Sequence, residues 1–165
     1  MNHAHAHHGH HAALQTPAPA GASLNVLAWS ATLHCLTGCA IGEVLGMVIG
    51  TALGFGNLET IALAVVLAFF FGYALTMRPL LASGMRLRQA ARLALAADTA
   101  SISVMEIVDN AIMLVVPGAM DAGPESVLFW GSLAFALAVA AVAAFPVNRW
   151  LIARGRGHAA VHAYH

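Results

Sequence analysis

The chain has 165 residues, 60% of them hydrophobic and 8% charged, with a formal net charge of zero at neutral pH. A soluble domain carries about a quarter charged residues, so this composition excludes an ordinary soluble fold and points to the membrane class. All the basic residues are arginine and none forms a basic run, which excludes nucleic acid as a partner.

Taken in order, the sequence divides into a His-rich head and linker (residues 1–23), a membrane domain (24–153) and a short Arg/His tail (154–165). The head holds His3, His5, His7, His8, His10 and His11. Neutral imidazoles bind divalent metals, with affinity falling as pH drops through the histidine range. The head is therefore an accessory metal site, with a solvated low-complexity tail and an expression tag as the plainer readings. It lacks the basic start of a secretory signal, and the apolar run that follows is too long for a signal core. Gln15–Ser23, QTPAPAGAS, reads as a disordered linker.

A membrane-crossing helix needs roughly 20 mostly apolar residues. Four stretches qualify: 24–53, 58–77, 91–116 and 125–152. Gly54-Phe55-Gly56-Asn57 separates the first two, and Pro79 is expected to stop the second. Pro117-Gly118 closes the third, Pro124 suits the first turn of the fourth, and Pro146 should bend the fourth near its end. The expected fold is an all-α integral membrane four-helix bundle. Arg78, Arg86, Arg88 and Arg92 lie in or beside the second loop, and Arg149, Arg154 and Arg156 lie at the end of the last span and in its tail, all on one side. The positive-inside rule then places both termini in the cytoplasm.

Span one contains His34-Cys35-Leu36-Thr37-Gly38-Cys39-Ala40-Ile41-Gly42-Glu43. At about 100° per residue, Cys35, Cys39, Gly42, Glu43 and Gly46 fall in one stripe, with His34 on its flank. Cys35 and Cys39 are the only cysteines. At i,i+4 on a helix they suit a shared ligand better than a disulfide. Gly38, Gly42, Gly46 and Gly50 form a small-residue ridge suited to close helix packing, with a homodimer face or a ligand groove as alternatives.

Span three places Asp98, Met105 and Asp109 on one face, with Glu106 and Met113 to one side and Ser101 to the other. Both spans climb from the same side. His34 and Asp98 then lie roughly 10–15 Å above their helix starts, and Glu43 and Glu106 about 22–28 Å. If the two spans meet, an inner layer combines His34, Cys35, Cys39, Asp98 and Ser101. An outer layer combines Glu43, Glu106, Asp109 and Asn110, with Met113 beside them.

A charge at mid-bilayer costs about 2.5–3.5 kcal/mol, so four ionised and unpaired carboxylates would cost on the order of 10 kcal/mol. No lysine is present, and Arg92 and Arg149 stand at the ends of their spans, so no basic residue lies at mid-membrane to neutralise them. Protonation, hydration or a bound cation is needed, and protonated groups bonding helices together are the purely structural alternative. Thiolate, imidazole and thioether ligands suit Cu(I) and Zn(II), and carboxylates suit harder ions. The candidate metal ligands are His34, Cys35, Cys39, Glu43, Asp98, Met105, Glu106 and Asp109.

HCLTGCAIGEVLGMVIG, PLLASGMRLRQA, MEIVDNAIM and FPVNRWLIARGRGHA together resemble a family of bacterial integral membrane proteins catalogued as a domain of unknown function. The resemblance spans about Ala28 to His158 and leaves the His-rich head outside. It implies a four-span membrane protein and carries over no site residue.

The leading functional reading is transport or sensing of a copper or zinc ion rather than enzymatic catalysis. The lipid bilayer surrounds the protein, and transport would call for a homo-oligomer. A membrane thiol/quinone oxidoreductase is the enzymatic alternative. Against it, the cysteines are CxxxC within a helix and no second pair exists to relay electrons. The third reading is a non-catalytic accessory subunit packed on a larger membrane partner.

Overall fold

The computed structural model describes residues 23–154. The His-rich head and the residues beyond Arg154, with the roles expected of them, lie outside the described residues. Four helices form an all-α bundle: α1 Leu24–Leu53, α2 Asn57–Ala82, α3 Leu87–Val115 and α4 Val127–Ala153. Each helix packs on the next in sequence and α4 closes back on α1. Of the two diagonals, α1 meets α3 across the centre more closely than α2 meets α4.

The bundle is small inside and large outside. Ala64, Ala68, Ala94, Ala136, Ala140 and Ala144 are buried, whereas Val66, Phe70, Ile107, Phe135 and Val142 face outward. In water this arrangement would expose the residues that most favour burial. In a bilayer the large side chains meet lipid and the alanines let the backbones approach. Three helices, α1, α2 and α4, are long and apolar enough to cross a membrane. Helix α3 fails that measure because it carries Arg88, Arg92, Asp98, Glu106 and Asp109. Its three carboxyl residues are all buried within the bundle, so hydropathy understates how apolar its outer surface is.

The glycine ridge seats α1 on α2. A Cβ added at Gly38 would lie 2.6 Å from Gly72 Cα, one at Gly42 would collide with Ala68, one at Gly46 with Ala64, and one at Gly50 would lie 2.5 Å from Thr60 Oγ1. The expected packing role is what the ridge performs. The single stripe expected on span one divides into two edges, because Gly42 and Gly46 face α2 while Cys39 and Glu43 contact residues of α3.

The loops turn on glycines with left-handed backbones, Gly54 at φ 68°, Gly84 at φ 87° and Gly118 at φ 77°. Pro79 does not stop α2, which continues to Ala82 with the proline in its last turns. A proline there removes one donor near an end that is already fraying into a cap. The stop comes at Ser83-Gly84, where Ser83 Oγ and Met85 N both donate to the Leu80 carbonyl, at 2.7 Å and 3.2 Å. Helix α3 starts at Leu87, ahead of the expected Ala91, because Leu-Arg-Gln-Ala favours helix outside the apolar stretch. Pro124 lies in the turn before α4 rather than in its first turn, and Ser126 caps the helix by accepting from Leu128 N at 3.1 Å.

The start of α1 and the end of α4 lie together, tied by Arg149 Nε donating to Asn25 Oδ1 at 2.8 Å. Trp29 and Trp150 mark this end, Trp29 stacked 4.8 Å from Phe145 and Trp150 beneath the Arg154 guanidinium at 4.3 Å. At the opposite end Trp130 Nε1 donates to the Pro124 carbonyl at 2.8 Å. Partly exposed tryptophans at both ends match the aromatic belts of membrane proteins.

Candidate functional site

The polar residues of α1 and α3 converge along the short diagonal of the bundle. Glu43 and Glu106 stand at the same position counted from the first residues of their helices, Leu24 and Leu87. The two helices run the same way, so equal counting brings equal depth. Three levels result.

At the first level Cys35 Sγ donates to Asp98 Oδ1 at 3.8 Å, and both residues are buried. Beside them Asn148 of α4 donates to Thr32 Oγ1 and to Ser101 Oγ, each at 2.9 Å. One amide thus joins α1, α3 and α4. His34 is half-buried, and its Nε2 lies 3.0 Å from Thr76 Oγ1 of α2. Its ring therefore reaches toward the second helix from the flank of the column.

At the second level Cys39 Sγ lies 3.9 Å from Met105 Sδ. Thiol and thioether pack with Ala68, Ile102 and Ala140, and Cys39 also lies near the Glu106 carboxyl of the next level. Both cysteines are free and buried.

At the third level Asn110 Nδ2 donates to Glu43 Oε1 at 3.3 Å and to the Glu106 carbonyl at 2.9 Å. Glu43, Glu106 and Asp109 are near enough to interact electrostatically. The side-chain oxygens of Glu106 and Asp109 are buried without a hydrogen-bond partner. Met113 and Met47 form part of the apolar cluster that closes this end, with Met120 against it.

The structure thus gathers Cys35, Cys39, Glu43, Asp98, Met105, Glu106 and Asp109 in one interior, with His34 at its edge. Among the described residues no arginine is buried, and the column contains no built-in counter-charge of that kind. The donors stand in pairs: among the described residues, no three His, Cys, Asp or Glu side chains are grouped closely enough to hold a metal ion. Asn148 and Thr32 join the site without having been singled out in the sequence. The signal available was an asparagine inside an apolar run, one turn before Ile152.

The fold and this interior define a membrane protein, a four-helix bundle whose diagonal is lined by carboxyl and sulfur groups. The chain belongs to the family described as Domain of unknown function (DUF4396), whose profile matches residues 26–157. That match covers all four helices and leaves out the His-rich head. No curated protein and no solved structure matches the chain.

Proposed function

We propose that the protein handles a transition-metal ion, copper or zinc, by transport or sensing, from the cytoplasmic membrane of a bacterium. In this reading all four helices cross the bilayer and both termini face the cytoplasm, since the described arginines cluster at the end where α1 begins and α4 finishes. Helix α3 crosses with the others because it packs against both α2 and α4 in the same bundle.

The observation that carries the reading is the pair of acidic residues, Glu106 and Asp109, buried with all four oxygens unpartnered beside a column of thiol and thioether groups. An ionised carboxyl in hydrocarbon needs a compensating charge, and a bound cation supplies it. Cys35 and Cys39 with Met105 offer soft ligands, and Asp98, Glu43, Glu106 and Asp109 offer hard ones. Because the donors stand in pairs, an ion would complete its coordination only as α1 and α3 close on it. Paired sites of moderate strength at successive depths let an ion leave as well as enter.

Elemental analysis of the purified full-length protein tests this, with a second preparation lacking Met1–His11. Stoichiometric copper or zinc is expected in both. A preparation without the His tract that binds neither metal removes the intramembrane site.

A further inference from the structure

Between α2 and α3 a groove of about 370 Å³ opens on the outer surface of the bundle. Ile61, Val65, Phe69 and Ile107 form its walls, and Glu106 and Asn110 reach it from the interior. Val66 and Ile107, on the two helices that frame it, are 65% and 70% exposed, so the opening lies on the face that meets hydrocarbon. A molecule dissolved in the bilayer would enter sideways without passing through the bundle.

Glu106 is 4% exposed, and neither of its carboxylate oxygens has a hydrogen-bond partner. The polar groups nearby are committed elsewhere. Ser103 Oγ donates to the Thr99 carbonyl at 2.7 Å, and the Asn110 amide donates to Glu43 and to the Glu106 backbone carbonyl. What the groove offers is one acid among apolar walls, with the Ser103 hydroxyl and the Asn110 amide as the other polar groups of its lining. A group that fits must be apolar over most of its surface and positively charged at one place. Phe69 adds an aromatic face, which attracts cations.

We propose that this groove binds a lipid-soluble organic cation, its apolar body against Ile61, Val65, Phe69 and Ile107 and its charge against Glu106. The pairing compensates a carboxylate that hydrocarbon would otherwise penalise, and the apolar walls hold the body of the ligand by close packing. An anion of the same shape gains the second contribution and is repelled by the acid. The site shares Glu106 with the metal reading but does not require a metal ion, because no sulfur ligand lines the groove.

Equilibrium dialysis of the full-length protein in nanodiscs, with chelator present, would compare tetraphenylphosphonium with the isosteric anion tetraphenylborate. The same measurement would be made on Glu106→Gln and on Val65→Trp, which fills the groove without altering the acid. Saturable binding of the cation is expected, with no saturable binding of the anion. Both variants should bind the cation at least about tenfold more weakly, a difference of about 1.4 kcal/mol. Equal binding of cation and anion, or undiminished binding to the variants, overturns the proposal. If Glu106→Gln loses helical content, Val65→Trp alone decides by the same criterion. Metal is excluded throughout, so failure here leaves the metal reading untouched.

Discussion

Asn148 donates both amide hydrogens across the bundle, to Thr32 on α1 and Ser101 on α3. Thr32 passes its own hydroxyl hydrogen to the Ala28 carbonyl at 2.8 Å, so its oxygen is free to accept. No water is available in hydrocarbon to replace such bonds, yet measured interhelical bonds in membranes average only about 0.6 kcal/mol. Asn148→Leu removes two of them and should lower stability by about 1 kcal/mol, measured by unfolding in mixed detergent micelles. No loss would mean that the amide does not hold the three helices. At this scale the acids and thiols were legible in the sequence because hydrocarbon makes each of them costly. Asn148 and the Thr76 partner of His34 were not. Helical periodicity gives the direction of a side chain on its own helix but not the helix it meets.

Among elements, the α1–α2 contact depends on the absence of side chains. Gly38, Gly42, Gly46 and Gly50 face Gly72, Ala68, Ala64 and Thr60 in order, so two small-residue ridges run against each other. Gly42→Leu would drive a side chain into the Ala68 backbone and should destabilise by about 2 kcal/mol or more. Gly131→Leu is the control, since a Cβ there meets nothing within 4 Å, and should change stability by less than about 0.5 kcal/mol. Equal effects in the same detergent unfolding assay would contradict the packing. The four-residue period announced this ridge plainly. Helix ends were less legible: apolarity marks the part within lipid, whereas caps and propensity mark the helix. That is why α2 runs past Pro79 and α3 begins before its apolar part.

For the whole molecule, the arrangement turns on topology. In an up-and-down bundle the first and third helices run parallel and lie diagonally opposed, so matching positions on them meet at matching depth. This places the acids and sulfurs of α1 and α3 together without any local motif. Orientation is testable with a membrane-impermeant thiol reagent on a Cys35→Ser, Cys39→Ser background. Asp121→Cys, in the turn between α3 and α4, should label in intact cells. Ser83→Cys, in the turn between α2 and α3, should label only after permeabilisation. The reverse pattern would invert the protein in the membrane.

X-ray absorption at the copper edge, on protein lacking Met1–His11 and loaded with Cu(I), interrogates the diagonal column most directly. Sulfur scatterers at ligand distance are expected, lost when Cys35 and Cys39 are both replaced by serine. A spectrum containing only nitrogen and oxygen ligands, or one unchanged by the double substitution, would contradict a metal held by the paired donors of α1 and α3.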